Sequence, residues 1–177
     1  MLRFVTLLGF VAAIPAFAAA PSASQAPDAL SNAAIERMAK IDGFAYAGPK
    51  FLDKTLVSPS YLRSLGPVAS EKSTIKIQYD SPVRYSSLTY RSGLEIDFRA
   101  FGEPEKTQIT WIRVTSPRWP IEFGLTVGVA VNRVIAVLGE PDEPSDERLA
   151  YSGESEHVEF RLRAGRVVEI QFSYYSD

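Results

Sequence analysis

The chain of 177 residues contains no cysteine and a single histidine, His157. Without cysteine there can be no disulfide, no thiolate zinc site, no cysteine nucleophile and no cysteine-linked lipid anchor. With one histidine, a metal site would have to be built from carboxylates, and a Ser-His-Asp triad would have to use His157. The sequence also lacks a glycine-rich phosphate loop after a strand and a G-x-S-x-G elbow. We therefore expect no cofactor and no metal.

The composition is that of a globular protein with little net charge. Hydrophobic residues make up 46% of the chain, aromatic residues 11%, and the mean hydropathy is −0.03. A chain with this apolar content can bury a core, which excludes an intrinsically disordered protein. With 19 basic and 21 acidic side chains, it has no cationic excess for nucleic acid or an anionic membrane surface.

The first residues have the features of a secretory signal peptide. Arg3 precedes an uncharged run from Phe4 to Phe17, which is too short and too interrupted by Pro15 to span a bilayer. Small residues at Ala16 and Ala18 predict cleavage after Ala18. We therefore expect residues 1–18 to be removed and the mature protein to be periplasmic or secreted, without a lipid anchor or stable membrane insertion. An uncleaved N-terminal helix is the alternative, although the run has no polar face.

Residues 19–54 are predicted to form a linker and an N-terminal helix. The start of this region is rich in alanine, serine and proline, as in flexible linkers. Apolar residues then recur at helical spacing, which predicts a helix over 29–41 with Asp28 as N-cap and Gly43 as its end. The following stretch, 44–56, contains Gly48-Pro49 and is predicted to be a loop.

Residues 119–177 have the pattern of a helix followed by antiparallel strands. The stretch 128–141 is a short apolar helix closed by Leu-Gly-x-Pro, in which Gly139 can adopt the left-handed conformation that ends a helix. Apolar and polar residues alternate over 157–163 and again over 166–174, where Val168, Ile170, Phe172 and Tyr174 share one parity. Ala164-Gly165 is predicted to be the two-residue turn of a hairpin.

Residues 55–118 repeat this order less clearly. Ser58 and Pro59 indicate a helix start, and Gly66-Pro67 indicates its end. Strand-like segments follow over 75–79, 88–90, 94–99 and 108–114. Gly66 and Gly139 lie 73 residues apart. We therefore predict an α+β fold in which two tandem helix-plus-antiparallel-sheet units form one compact domain. The alternative is that any α+β domain with two hairpins aligns this well by chance.

The second unit resembles a known repeat. The stretch from Phe123 through Leu138-Gly139-Glu140-Pro141, then Tyr151, Val158-x-Phe160 and the Ala164-Gly165 hairpin, is similar to the repeat of the SmpA/OmlA (BamE-like) and β-lactamase inhibitor protein-like (BLIP-like) superfamily. The likeness covers residues 121–173 well and 55–115 weakly. Ala130 stands where the family has an N-cap serine, and the disulfides of the inhibitor proteins and the lipid-anchoring cysteine of the assembly lipoproteins are absent.

The resemblance implies a non-enzymatic, exported protein that binds another protein with the open face of a curved antiparallel sheet. The residues support this independently, because an aromatic side chain beside mixed arginine and glutamate is typical of interaction surfaces. The candidate partner-binding residues are Glu95, Asp97, Arg99, Trp111, Arg113, Glu159, Arg161 and Arg163. The alternative is that Trp111 fills the junction between the units and that the charges form a solvated face. The stretch 108–114 is apolar on both parities, so the sequence leaves the orientation of Trp111 open.

Three functions remain at this stage. The first is an inhibitor or immunity-type protein whose partner is an exported enzyme or another envelope protein. The second is an accessory factor of outer-membrane assembly, which the missing lipid-anchor cysteine disfavours. The third is a small hydrolase that uses two carboxylates among Glu95, Asp97 and Glu159. His157 has the strand parity of the charged residues and is either a surface residue or a weak pH-sensitive contact.

Overall fold

A computed structural model describes residues 31–53, 57–102 and 106–174. The predicted signal peptide, 1–18, and the linker that follows it lie outside these residues. Three α-helices are described: α1 (Asn32–Ala47), α2 (Pro59–Ser64) and α3 (Val131–Leu138). The eight strands are β1 (Val68–Gln78), β2 (Ser81–Tyr90), β3 (Leu94–Phe101), β4 (Lys106–Val114), β5 (Glu143–Pro144), β6 (Arg148–Ser152), β7 (Glu156–Arg163) and β8 (Arg166–Tyr174).

The N-terminal helix differs from its prediction at both ends. Ser31 is the N-cap, and its hydroxyl accepts a hydrogen bond from the Ala34 N–H at 3.3 Å. The helix continues through Gly43 to Ala47 because Phe44 and Ala45 are buried in the core. The free energy gained by burying these side chains exceeds the roughly 1 kcal/mol cost of a glycine within a helix. The prediction of a loop from residue 44 was therefore wrong for its first turn.

The two shorter helices follow their sequence signals closely. The Ser58 hydroxyl accepts a hydrogen bond from the Tyr61 N–H at 3.1 Å, and Pro59 occupies the first turn of α2, as predicted. Helix α3 starts at Val131 rather than at Gly128, because Gly128 has a φ of +96° and Ala130 is extended. Gly139 ends α3 with a φ of +92°, which confirms the predicted helix end.

All eight strands belong to one antiparallel sheet in the order β1-β2-β3-β4-β8-β7-β6-β5. Strands β1 to β4 follow one another along the chain, as do β5 to β8, and the last strand of each set pairs with the other. Helix α2 precedes the first set and α3 precedes the second. The predicted α+β class is therefore confirmed at the level of helices packed on an antiparallel sheet.

One face of this sheet carries the hydrophobic core. Paired residues of antiparallel strands point to the same side, so the register assigns every strand residue to a face. On the face that we call the inner face lie Leu88, Tyr90, Leu94, Ile96, Phe98, Ile112, Val114, Tyr151, Val158, Phe160, Ile170 and Phe172, all of which are buried. The opposite side, the outer face, carries most of the charged strand residues.

Three inner-face tyrosines bind the ends of the three helices. The Tyr174 hydroxyl donates to the Ala45 carbonyl of α1 at 3.0 Å, and the Tyr90 hydroxyl donates to the Leu62 carbonyl of α2 at 2.5 Å. The Tyr151 hydroxyl donates to the Gly139 carbonyl at the end of α3 at 3.0 Å. The bonds to Ala45 and Gly139 satisfy carbonyls at helix ends, where the last turn leaves such groups without intrahelical donors, and the Leu62 carbonyl accepts a second hydrogen bond besides that from the Leu65 N–H at 3.2 Å. These bonds place all three helices on the inner face.

The Asp42 side chain also holds helix α1 in place. Asp42 accepts hydrogen bonds from the backbone N–H groups of Glu154, Ser155 and Glu156 at 2.9, 3.3 and 3.1 Å. A side chain at Gly153 would lie 1.9 Å from Asp42 Oδ1, so only glycine permits this close approach. These bonds fasten α1 to the loop between β6 and β7.

The long hairpin of β1 and β2 was not predicted from the sequence. Its two turn residues are Tyr79 and Asp80, which both have positive φ, at 50° and 59°. Such turns are usually built from Asn-Gly or Asp-Gly, so this pair gives no turn signal. Ala164-Gly165, by contrast, was predicted as a two-residue turn, and the structure confirms it with φ of 50° and 69°.

The raised pKa values of these tyrosines make the stability of the fold decrease at alkaline pH. Burial raises the pKa of Tyr90 and Tyr151 from 10.0 to about 12, and it also raises the pKa of Tyr174. Because the folded-state pKa values lie above those of the unfolded chain, the native protein holds more protons above pH 10. The stabilisation is therefore complete below pH 10 and decreases as the pH rises from 10 to 12.

We predict that Tyr90→Phe and Tyr151→Phe each lower the free energy of unfolding by about 1 kcal/mol at pH 7, because each removes a hydrogen bond from the sheet to a helix end. The difference from the wild type should shrink above pH 10. Urea denaturation at pH 7 and pH 11 measures both effects. Tyr79→Phe, at a turn tyrosine that is 89% exposed, is the control. An unchanged stability at pH 7 for both inner-face variants would contradict the anchoring role.

Candidate binding face of the sheet

The register places seven of the eight predicted binding residues across the outer face. The pairs Glu95↔Arg113 and Asp97↔Trp111 join β3 to β4, and Glu159↔Gln171 joins β7 to β8. Arg99 and Arg161 share the same face by their pairs with Gln108 and Glu169. The eighth residue, Arg163, keeps the parity of this face but lies exposed beside the Ala164-Gly165 turn, opposite Arg166.

The orientation of Trp111 depends on a β-bulge that the sequence does not reveal. Asp97 pairs with Trp111, but the next residue, Phe98, pairs with Ile109, so Thr110 is the extra residue. Ile109 therefore packs against the core while Trp111, two residues further on, points to the outer face. The bulge explains why this stretch is apolar on both parities. Trp111 lies beside the β4–β8 junction, but on its outer side.

A chain of ion pairs crosses the outer face from β3 to β5. Arg113 binds Glu95 of β3 at 3.2 Å and Glu169 of β8 at 2.8 Å. Arg161 of β7 contacts Glu169 at 3.4 Å and Glu159 at 3.2 Å. Arg148 of β6 continues the series to Glu159 at 3.6 Å and to Glu143 of β5. We call this series of Glu95, Arg113, Glu169, Arg161, Glu159, Arg148 and Glu143 the ion-pair ladder.

Glu169 is the most enclosed member of the ladder. Its burial opposes ionisation, but hydrogen bonds from Gln171 and Arg113 and the charge of Arg161 outweigh that effect and lower its pKa below 4.5. The hydrogen bond to Glu169 likewise raises the pKa of Arg113 above its usual value. Both groups therefore stay charged at neutral pH, and they link the two halves of the sheet electrostatically.

The β1–β4 side of the outer face carries aromatic and cationic side chains. The Lys76 ammonium lies 5.3 Å from the centre of the Tyr85 ring, and the Arg99 guanidinium lies 5.5 Å from that of Phe101. Arg99 Nε also donates to Gln108 Oε1 at 2.7 Å, which fixes its plane. We call this region the aromatic zone and define it as Lys72, Lys76, Tyr85, Asp97, Arg99, Phe101 and Trp111.

A depression of 320 Å³ opens within the aromatic zone. Its lining includes Lys72, Lys76, Tyr85, Ser87 and Asp97. Burial raises the pKa of Asp97 above 3.8, although a hydrogen bond from Ser87 opposes the shift. Among the described residues, Asp97 Oδ1 is buried and accepts no hydrogen bond. A buried acceptor of this kind is a position at which a bound molecule gains a hydrogen bond by supplying an N–H or O–H donor.

Two of the three carboxylates considered for hydrolysis, Glu95 and Glu159, are held in ion pairs. Arg113 binds Glu95, and Arg148 and Arg161 both bind Glu159. Oxygens held in ion pairs are not presented to a substrate as a general acid or base would be. His157 also lies on the outer face, where its Nδ1 is 3.2 Å from the Ser152 hydroxyl. The arrangement favours a charged contact surface.

Several members of this face were not predicted from the sequence, for different reasons. Tyr85 lies in the β1–β2 hairpin, whose turn gave no signal. Phe101 continues the parity of Asp97 and Arg99 beyond residue 99, where the predicted strand ended. A second bulge, near the start of β8, turns Val167 into the core and leaves Val168 exposed, so the predicted parity of Val168 was wrong. Glu169 keeps its predicted parity with Gln171 and Ser173, and it joins the ladder on the outer face. The position of Glu169 between Val168 and Ile170 was the feature of the sequence that could have identified it as a member of this face.

Comparisons with models of known protein families, with curated protein sequences and with solved structures find no match to this chain. Across the residues that the structure describes, no helix is long and apolar enough to cross a membrane.

We predict that Arg113→Met lowers the free energy of unfolding by about 1–3 kcal/mol at pH 7, because it leaves the enclosed Glu169 carboxylate without its closest cation. The lowered pKa of Glu169 stabilises the fold above pH 4.5, and this contribution is lost as the pH falls through the folded-state pKa. The difference between variant and wild type should therefore shrink between pH 5 and pH 3 in urea denaturation.

Arg148→Met is the matched control for that measurement. Arg148 belongs to the same ladder, but its side chain is 49% exposed and that of Glu143 is 65% exposed. Solvent screens such a pair, so we expect a change within about 0.5 kcal/mol. Equal effects of the two substitutions would contradict a special role for Glu169.

Proposed function

We propose that this protein is an exported protein-binding module that uses the outer face of its sheet, with the aromatic zone as the centre of contact. Its partner is an exported enzyme or another protein of the cell envelope, and the module acts as an inhibitor or immunity-type protein. The observation that carries the proposal is that the described helices all lie on the inner face, while Trp111, Tyr85 and Phe101 lie among cations on the outer face.

The chemistry of the aromatic zone fits a protein partner. Tryptophan, tyrosine and arginine contribute most of the binding free energy at protein interfaces, because large rigid side chains exclude water from neighbouring polar contacts. Trp111 is half-buried, so part of its indole stays available for contact. Arg99 is already oriented by Gln108 and Phe101. Little side-chain entropy would be lost when such groups meet a partner.

The ion-pair ladder supports the same function by keeping the face rigid. The ladder links six neighbouring strands, in the order β3, β4, β8, β7, β6 and β5. Each of its arginines contacts two carboxylates. A preorganised surface binds more tightly than one that must be ordered on contact. We therefore assign the ladder to the support of the face and the aromatic zone to recognition.

The relation between the two halves supports the proposal of tandem BLIP-like units. Tyr90 on β2 binds the end of α2, and Tyr151 on β6 binds the end of α3, so the second strand of each set has the same anchor. Gly66 and Gly139 are 73 residues apart, but Tyr90 and Tyr151 are only 61 apart. The difference lies in the first hairpin, which is longer than the β5–β6 hairpin. Two related units joined through β4 and β8 give a single broad face.

Trp111→Ala tests the proposal in affinity capture from a native cell-envelope extract. The wild-type protein should retain one partner in stoichiometric amounts, and the variant should bind that purified partner at least about tenfold more weakly. Ile35→Ala, at an exposed apolar residue of α1, is the matched control and should bind normally. If the purified partner binds Trp111→Ala and wild type equally, the outer face is not the contact surface. Recovery of outer-membrane complexes would instead indicate an assembly accessory.

Asp97→Asn separates binding from stability. The raised pKa of Asp97 means that its charged form destabilises the fold as the pH rises above 3.8, so the variant should unfold at a higher urea concentration at pH 7. The same variant should bind the partner more weakly, because an amide replaces the charged acceptor in the depression. Ser152→Ala, elsewhere on the outer face, is the control. A stabilised variant with unchanged affinity would exclude Asp97 from the interface.

A further inference from the structure

The two edges of the sheet differ greatly in how they are protected. Strand β5 at one edge has only two residues, of which Pro144 cannot donate a backbone hydrogen bond. Strand β1 at the other edge has 11 residues and no proline, and all but its first and last residues are exposed. A long edge strand with unpaired backbone groups is a template for another strand.

The turn of the hairpin determines which backbone groups of β1 point outward. Tyr79 and Asp80 form a two-residue turn, so the flanking pair Gln78↔Ser81 is the mutually hydrogen-bonded one. Pro82 agrees with this assignment, because it lies opposite Ile77 and has no N–H to donate. Bonded positions alternate along the strand. The groups that point away from the sheet are therefore those of Glu71, Ser73, Ile75 and Ile77.

The side chains of β1 have a different character on each face. Lys72, Thr74 and Lys76 lie on the outer face, where no described carboxylate pairs with either lysine. Ile75 and Ile77 lie on the inner side, beyond the helices, and are 63% and 70% exposed. Glu71, also on the inner side, is bound by Arg63 of α2 at 2.7 Å. The edge thus has, on one face, two lysines that no described carboxylate neutralises and, on the other, exposed apolar side chains.

We propose that the β1 edge binds an extended segment of a partner protein as a ninth strand of the sheet. The segment alternates acidic and apolar residues, so that its carboxylates face Lys72 and Lys76 while its apolar side chains cover Ile75 and Ile77. Backbone hydrogen bonds would supply affinity, and the two faces would supply specificity. This site shares Lys72 and Lys76 with the aromatic zone, but it uses the outward backbone groups of β1 rather than Trp111, so it can fail independently of the proposed function.

Charge favours such a segment over a second copy of this chain. Two β1 strands that pair antiparallel about a two-fold axis keep their outer faces on the same side of the sheet. The interface between the two copies would then bring four lysines together on that face, with no carboxylate of β1 among them. Like charges in adjacent strands destabilise their pairing. An acidic segment replaces this repulsion with attraction.

A synthetic peptide of about eight residues that alternates valine and glutamate provides the direct test. Hydrogen exchange of the full chain, followed by NMR, should show fast exchange at Glu71, Ser73, Ile75 and Ile77 and slow exchange at Lys72, Thr74 and Lys76. Saturating peptide should slow exchange at the first group and leave the second unchanged. A peptide that alternates valine and lysine should bind at least about tenfold more weakly.

Two substitution pairs separate backbone from side-chain contributions. Ser73→Pro removes one outward N–H without disturbing the bonds to β2 and should weaken peptide binding about three- to tenfold, whereas Ser73→Ala should not. Lys72→Glu with Lys76→Glu should reverse the preference between the two peptides, and folding should be unaffected because both lysines are exposed.

The proposal is overturned by any of three results. These are no saturable binding of the acidic peptide up to about 1 mM, protection at Tyr85, Phe101 and Trp111 rather than at β1, and dimerisation of the chain that Ser73→Pro abolishes. The peptide measurements do not depend on Trp111. A failure here therefore leaves the capture experiment with Trp111→Ala unaffected, and the reverse also holds.

Discussion

The structure depends on the burial of one sheet face against three helices. Each helix end is tied to that face by a tyrosine hydroxyl, from Tyr90, Tyr151 or Tyr174. In a chain without cysteine, apolar packing and these hydrogen bonds have to hold the helices in place. Because the apolar side chains face inward, the opposite face is left for polar and aromatic groups. The one-sided core therefore creates the surface to which we assign function.

The outer face divides its tasks between two regions. The ion-pair ladder links neighbouring strands across the β4–β8 junction, where Arg113 and Glu169 form its most enclosed contact. The aromatic zone lies on the β1–β4 side of the outer face. There, the burial of the Asp97 charge lowers the stability of the fold but leaves an acceptor oxygen available to a partner. Polar groups that are imperfectly satisfied in the free protein are typical of surfaces that complete their bonding with a partner. The long β1–β2 hairpin extends this side of the sheet and exposes its edge.

Much of the architecture follows from local patterns in the sequence. The Ser58-Pro59 helix start, the Gly139 helix end and the Ala164-Gly165 turn are all present in the structure. Alternation placed Glu95, Asp97, Arg99, Glu159 and Arg161 on one face without any structural information. Patterns failed where their usual residues were missing, as at the Tyr79-Asp80 turn, or where burial overrode propensity, as at Gly43 in α1. These failures concern boundaries and one hairpin, and the fold class is unaffected.

The sequence by itself determined the fold class, the parity of most strand residues and the absence of thiol chemistry, because these follow from composition and from periods of two to four residues. Only the tertiary structure decided where Trp111 and Val168 point, because a β-bulge adds one residue and reverses all later parity without a distinctive residue type. It also decided that β4 pairs with β8, that Glu169 joins two arginines, and that β1 is an open edge. Such pairings join residues far apart in the chain, where local patterns carry no information.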